Sequence, residues 1–144
     1  MLIGGLAAIV HGTGRSTSDV DVVYARDRAN MERLCAALAP FSPYLRGAPP
    51  GLPFKFDVGT VRRGLNFTLV MEELGSVDFL GEVTGGGTYD QLVEFAEPQE
   101  LFGCRLMCVS LDHLILLKRA AGRPKDLEVI AELEALRNER AAGG

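Results

Sequence analysis

Tryptophan is absent from this 144-residue chain, and cysteine and histidine are scarce, with three and two copies. Cys35, Cys104 and Cys108 are an odd, sparse set, which argues against a disulfide framework. Cys104 and Cys108 also lack His or Cys neighbours at zinc-ligand spacing. The thiols are therefore expected to be reduced and mostly buried, which points to a cytoplasmic location. Basic residues are not in excess: the formal net charge is −4. A protein that coats nucleic acid without regard to sequence needs surplus Lys and Arg to displace counterions, so that class is disfavoured, although a local basic patch is not. No long apolar run is present. Met1 to Val10 is apolar, but it has no basic leader, and His11 ends it too soon for a membrane span. No membrane partner is expected, and there is neither an internal repeat nor a low-complexity block.

What remains suits one globular domain over 1–144. Apolar residues make up 47% of the chain, enough to build a core without staples. Because the chain opens directly on an apolar, glycine-bearing element, an N-terminal helix could be missing through truncation or a mis-assigned start.

The local pattern alternates between the two periodicities. Leu6 to Val10 reads as a short helix after a Gly4-Gly5 turn, and 12–18 as a polar, turn-rich loop. Asp19 to Tyr24 alternates and is β-branched, as a strand requires. Residues 27–38 carry Met31, Leu34, Cys35 and Leu38 at helical spacing. Five prolines between 40 and 53 argue against regular structure there. Strands follow over 66–71 and 76–80, joined by a turn at 72–75, then a flexible glycine-rich loop over 81–87 and a short helix over 89–95. A last strand spans 105–109. Ser110 is placed to cap a helix through Ala120, Gly122 to end it, and Pro124 to start a final helix to about Arg137. The broad apolar arc of that final helix requires a substantial partner. The fold class is α/β (α+β): a small mixed sheet flanked by helices, with helices at the C-terminus.

The chemistry-bearing residues are acidic. On a strand, i and i+2 point the same way, so Asp19 and Asp21 share a face that Val20 and Val22 avoid. Two such carboxylates repel unless a cation lies between them, and hard oxygen donors suit Mg²⁺ or Mn²⁺. Asp78 sits in a second strand between Val77 and Phe79, where surface decoration is a poor explanation. If the two strands are neighbours, all three carboxylates converge. Upstream, Gly4 and Gly5 can bring backbone N–H groups close to a phosphate beside a short helix.

Gly4-Gly5, thirteen further residues, then Asp19-Val20-Asp21-Val22 and a later strand carboxylate resemble the signature of the DNA polymerase β-like nucleotidyltransferases. The stretch from Leu2 through His11-Gly12, Arg15 and Thr17 to Asp21 is more similar still to minimal nucleotidyltransferases of the AbiEii-like group, found beside toxin–antitoxin systems. The likeness extends from Leu2 to about Leu136. It implies a nucleotidyltransferase fold in which Asp19 and Asp21 hold two divalent ions. Asp78 would ligate the catalytic one and accept the nucleophile's proton. Gly5, Arg15 and Thr17 would lie beside the phosphates of a nucleoside triphosphate (NTP). The implied activity is transfer of an NMP group to an unknown acceptor: a protein hydroxyl, a tRNA 3′ end or a small molecule. A partner protein could supply acceptor recognition.

Lys118 falls on the helix face defined by Leu111, Leu114 and Ile115, so its ammonium either snorkels to solvent or reaches toward triphosphate or the aspartates. Arg123, Lys125 and Asp126 match a segment of the AbiEii-like group and are expected to be phosphate contacts or structural ion pairs. His11 is expected at a helix end or in packing rather than as a ligand, His113 exposed near a helix start without a role, and Tyr24 in the core. Two other readings compete. One is a non-catalytic, antitoxin-like or nucleotide-binding regulatory partner; the other is a structural protein with coincidental aspartates. An intact carboxylate triad favours the enzyme, because converging charges are costly to keep.

Overall fold

The computed structural model describes residues 1–144. Its elements run β1 (Leu2–Ile3), α1 (Gly4–His11), β2 (Val20–Val23), α2 (Arg28–Leu38), β3 (Tyr44–Leu45), α3 (Val58–Arg63), β4 (Asn66–Met71), β5 (Gly75–Leu80), β6 (Glu82–Val83), β7 (Gly87–Thr88), α4 (Tyr89–Leu92), β8 (Ala96–Leu101), β9 (Cys104–Val109), α5 (Leu111–Ala121) and α6 (Pro124–Gly143). Seven strands form one mixed sheet in the order β3-β4-β5-β2-β1-β9-β8, and β6 and β7 form a separate small hairpin.

Side-chain alternation divides the apolar residues into two cores. Leu2, Ile3, Val23, Cys108 and Val109 lie in a core with Ala7 and Ala8 of α1, Leu114 and Ile115 of α5, and Val129 and Leu133 of α6. A smaller core gathers Met31, Phe56, Val61, Leu69 and Phe79, with Val22 packed on it. Asp21 lies between Val20 and Val22 in β2, so the strand that carries it is held on both sides by apolar contacts. Each fully buried Leu or Ile in these layers is worth roughly 1.5–3 kcal/mol of transfer free energy.

Capping accounts for the helix boundaries. The Asp27 carboxylate accepts from Asn30 N–H to start α2, and the Ser110 hydroxyl accepts from His113 N–H to start α5. Gly122 ends α5 in the left-handed region at φ 64°, and Pro124 opens α6, which needs no N–H there.

Several expectations require correction. α1 begins at Gly4, without a turn before it, and β1 precedes it. The proline-rich loop contains the two-residue strand β3, which is a sheet edge where few ladder bonds are needed. The glycine-rich stretch after β5 is ordered as β6 and β7, because Gly85 and Gly86 let the hairpin approach Ala120 and Leu117 of α5 closely. α3 and β8 were not expected. β8 contains Pro98 and lies at the other sheet edge. α6 continues past Arg137 to Gly143. Of the cysteines only Cys108 is buried; Cys104 is exposed and Cys35 is half-buried. His113 is half-buried and stacks on Phe95 with ring centroids 4.1 Å apart. Tyr24 is buried as expected, and its hydroxyl donates to the Leu65 carbonyl. No helix is long and apolar enough to cross a membrane.

Candidate active site

The parallel pairing of β2 with β5 decides where the carboxylates fall. Its register sets Val20 opposite Val77, Asp21 opposite Asp78 and Val22 opposite Phe79. Neighbouring strands lie about 4.8 Å apart, so the two aspartates stand side by side. The Thr68 hydroxyl of β4, opposite Asp78 on its other flank, donates to Asp78 Oδ1 and fixes that carboxylate. Asp21 has no such donor. Burial, a hydrogen bond shared with Asp78 and the Asp78 charge push its pKa up to about 6, against a smaller opposing pull from Lys118.

Asp19 lies just before β2, outside the strand. Its position is set by Thr17, whose Oγ1 accepts from Asp19 N–H at 3.2 Å. Thr17 thereby shapes the loop that presents Asp19. The same hydroxyl sits over Gly5, where a Cβ would approach it to 3.1 Å. Gly4 has φ +70°, and a Cβ there would overlap the Asp21 carboxylate. The two glycines are therefore required by the close approach of α1 to the aspartates and their loop.

Two cavities flank this row. The first, of about 460 Å³, is lined by Ile3, Gly4, Leu80, Leu114, Leu117 and the hairpin residues Glu82–Thr84. The second, of about 210 Å³, is lined by Gly5, Thr13, Arg15, Ser16, Thr17, Asp19 and Lys125. Asp21, Asp78, Lys118 and Arg123 line both, so they form the ridge on which the two cavities meet. The second cavity is rich in hydroxyls and cations. The Thr13 Oγ1 atom, in a residue 7% exposed, has no hydrogen-bond partner. A buried polar atom at a cavity wall is a candidate contact for a bound polar group.

The cations are organised by Asp126, which the sequence offered with Arg123 and Lys125 as a phosphate contact or a structural ion pair and which forms the ion pair. Asp126, with a fully buried side chain, accepts from Lys118 Nζ at 2.9 Å and from Arg123 Nε at 2.6 Å. Burial opposes its ionisation, but the bonds from Arg123 and Lys118 outweigh that and hold its pKa below the usual carboxylate range. Lys118 is only 12% exposed, so it does not snorkel. Its ammonium is anchored by the next helix at the edge of both cavities. The signal was in the sequence: a lysine on an apolar face needs an anion, and Asp126 lies two turns beyond it across the Gly122 turn. Arg15 is engaged elsewhere: Nε donates to Glu132 at 3.0 Å and Nη2 to the Glu128 carbonyl at 3.1 Å. That pair fastens the 12–18 loop to α6, aided by Gly14 N–H on Glu132. His11 is buried in packing, with Nε2 bonded to the Val109 carbonyl at 2.7 Å.

The donor set fits a hard divalent cation. Two adjacent carboxylates, with Asp19 near enough to raise the Asp21 pKa, leave negative charge without a counter-ion between them. No three His, Cys, Asp or Glu side chains close into a metal cage by themselves. An ion held there would take further oxygens from water or phosphate, as Mg²⁺ ordinarily does.

No family model matches the chain, and a search of curated proteins finds no match to its sequence. Among solved structures it is similar to the lincomycin-bound lincosamide antibiotic adenylyltransferase LnuA, with a TM-score of 0.58 and 16% identity. The match covers 94% of this chain and 85% of that one. At that identity the likeness concerns architecture, and it shows that the chain has a nucleotidyltransferase fold, a mixed sheet flanked by helices.

Proposed function

We propose that the protein transfers a nucleotidyl group from an NTP to an acceptor hydroxyl. The observation that carries this reading is the in-register pair Asp21–Asp78 on a ridge between two cavities, one of them rich in hydroxyls and cations. The triphosphate would lie in the second cavity, met by the Thr13, Ser16 and Thr17 hydroxyls and by Lys118, Arg123 and Lys125, with Gly5 allowing close approach. Lys118 and Arg123 are presented to it by Asp126. Arg15 would join them only by leaving Glu132, so its share in nucleotide binding is a smaller part of the proposal.

Mg²⁺ or Mn²⁺ held by Asp21, Asp78 and Asp19 would supply charge neutralisation at the α-phosphate. The acceptor oxygen forms a bond to the α-phosphorus as the bond to the β-phosphate bridging oxygen breaks. The acceptor proton passes to Asp78, and pyrophosphate leaves. Thr68 holds Asp78 in place for that role. A protein hydroxyl, a tRNA 3′ end or a small molecule could serve as acceptor, in the cytoplasm and in a toxin–antitoxin setting with a partner protein. A thermal-shift screen of the four NTPs with and without Mg²⁺ tests the nucleotide half of this reading. Stabilisation by an NTP only with the divalent ion is expected, and no stabilisation by any of the four would overturn it.

A further inference from the structure

The first cavity has a composition that selects among acceptors. Ile3, Leu80, Leu114 and Leu117 give it an apolar floor, and Glu82 and Thr84 stand at its rim. Asn66, Glu82, Val83 and Thr84 also line a neighbouring groove of about 490 Å³ along the β6–β7 hairpin. No aromatic residue lines either space, so a nucleobase finds no stacking platform. The only cations of the cavity, Lys118 and Arg123, stand on the ridge it shares with the second cavity, and the groove has none, so a phosphodiester chain running past the ridge meets Glu82 and no positive charge.

The remaining polar groups differ in their freedom. Asn66 is spent on the hairpin: its Oδ1 accepts from Gly81 and Glu82 N–H, and its Nδ2 donates to the Glu82 carbonyl. The Glu82 carboxylate makes no ion pair and no hydrogen bond to the protein. It is the one carboxylate of the cavity outside both the Asp21–Asp78 ridge and the Asp126 cluster.

Resting on the nucleotidyl-transfer reading above, we propose that the first cavity is the acceptor site. Its acceptor is a compact, hydroxyl-bearing small molecule with an apolar body and a cationic amine, the amine pairing with Glu82. A floor of aliphatic side chains accepts the body, the free carboxylate attracts the amine, and the hydroxyl reaches the Asp78 ridge. A tRNA 3′ end fits neither the apolar floor nor the local charge.

The experiment uses two matched probes on the full chain saturated with Mg²⁺ and NTP: cationic 1-butyl-4-hydroxypiperidine and its neutral amide, 1-butanoyl-4-hydroxypiperidine. Binding is followed by amide chemical shifts, and Glu82→Gln is the comparison variant. The cationic probe should shift Glu82, Val83 and Thr84 and bind about fivefold more tightly than the neutral one, as an exposed charge pair allows. Glu82→Gln should remove that difference and leave the Mg²⁺–NTP affinity unchanged. Equal binding of the two probes to the wild type, or no hairpin shifts, would overturn the proposal, as would transfer of label from the NTP to bulk tRNA or to the chain itself. Weaker NTP binding in Glu82→Gln would place the nucleoside in this cavity and overturn it too. Failure of the wild type to bind Mg²⁺–NTP would instead bring down the transfer reading on which the proposal rests.

Discussion

Replacing Asp21 by Asn should stabilise the protein in the absence of divalent ions while removing its capacity to bind them. The Asp21 carboxyl is moved from 3.8 to about 6 by burial and by Asp78. The folded state therefore keeps a proton between about pH 4 and pH 6 that the unfolded chain releases. Stability falls as pH rises through that window and stays lower above it. The full displacement corresponds to about 3 kcal/mol at most. Asp21 is at a cavity wall and partly hydrated, so screening leaves roughly 1–2 kcal/mol. The amide introduced by the substitution would donate to Asp78 at every pH, as the protonated carboxyl does only in acid. At pH 8 with a chelator, Asp21→Asn should melt about 2–8 °C above the wild type, since 1 kcal/mol is about 2–4 °C at this size. At pH 4.5 the gap should shrink toward zero. Adding Mg²⁺ at pH 8 should raise the wild type and leave the variant unmoved. Thermal melts at the two pH values, each with and without Mg²⁺, read all of this. A variant less stable than the wild type at pH 8 without divalent ions would refute the charge-repulsion argument. An equal gain at both pH values would remove its electrostatic cause.

Asp126→Asn should lower stability by about 2–4 kcal/mol, because Lys118 and Arg123 lose the buried charge that pairs them; urea unfolding checks it. Lys118→Ala should weaken NTP binding about tenfold and also lower stability by about 1–3 kcal/mol, because the buried Asp126 is left with Arg123 alone; calorimetry on the folded protein beside urea melts separates the two. Gly4→Ala should cost about 1–2 kcal/mol for the left-handed backbone and displace Asp21, so metal-dependent NTP stabilisation should disappear in a thermal-shift assay. Leu133→Ala, far into the core and fully buried, should cost about 2–5 kcal/mol in urea unfolding without changing NTP affinity per folded molecule.

Much of this arrangement was legible in the sequence because local chemistry and tertiary context agree. β2, α2, β4, β5 and α5 follow from alternation, helical spacing and the Ser110 and Gly122 caps, and each boundary falls within a residue or two of the pattern. What was hidden depends on long-range partners. β1 is only Leu2–Ile3, and β2 and β9 hold it in the sheet from either side. β8 has Glu97, Pro98 and Glu100 in a six-residue run, a composition that local propensity disfavours; six-residue pairing with β9 overrides it. α3 spans six residues and has only Val61 buried, too little for a periodic signal. In the site, the spacing of Asp19 and Asp21 suggested one strand face, but Asp19 falls outside β2 and is set by Thr17. The in-register meeting of Asp21 with Asp78 needed the β2–β5 pairing, which no local pattern specifies. Arg15 looked free for phosphate because its partner Glu132 is 117 residues away in sequence.

The central claim is that the Asp21–Asp78 ridge binds an NTP through a divalent ion, and titration calorimetry of wild type and Asp78→Asn with each NTP tests it most directly. Thr68 can still donate to the amide oxygen of that variant, so it should keep its fold and lose only the charge. The wild type should bind at least one NTP with Mg²⁺ and not with a chelator, and Asp78→Asn should bind it at least tenfold more weakly, about 1.4 kcal/mol. Equal Mg²⁺-dependent affinity in the two proteins, or wild-type affinity indifferent to the chelator, would contradict the account.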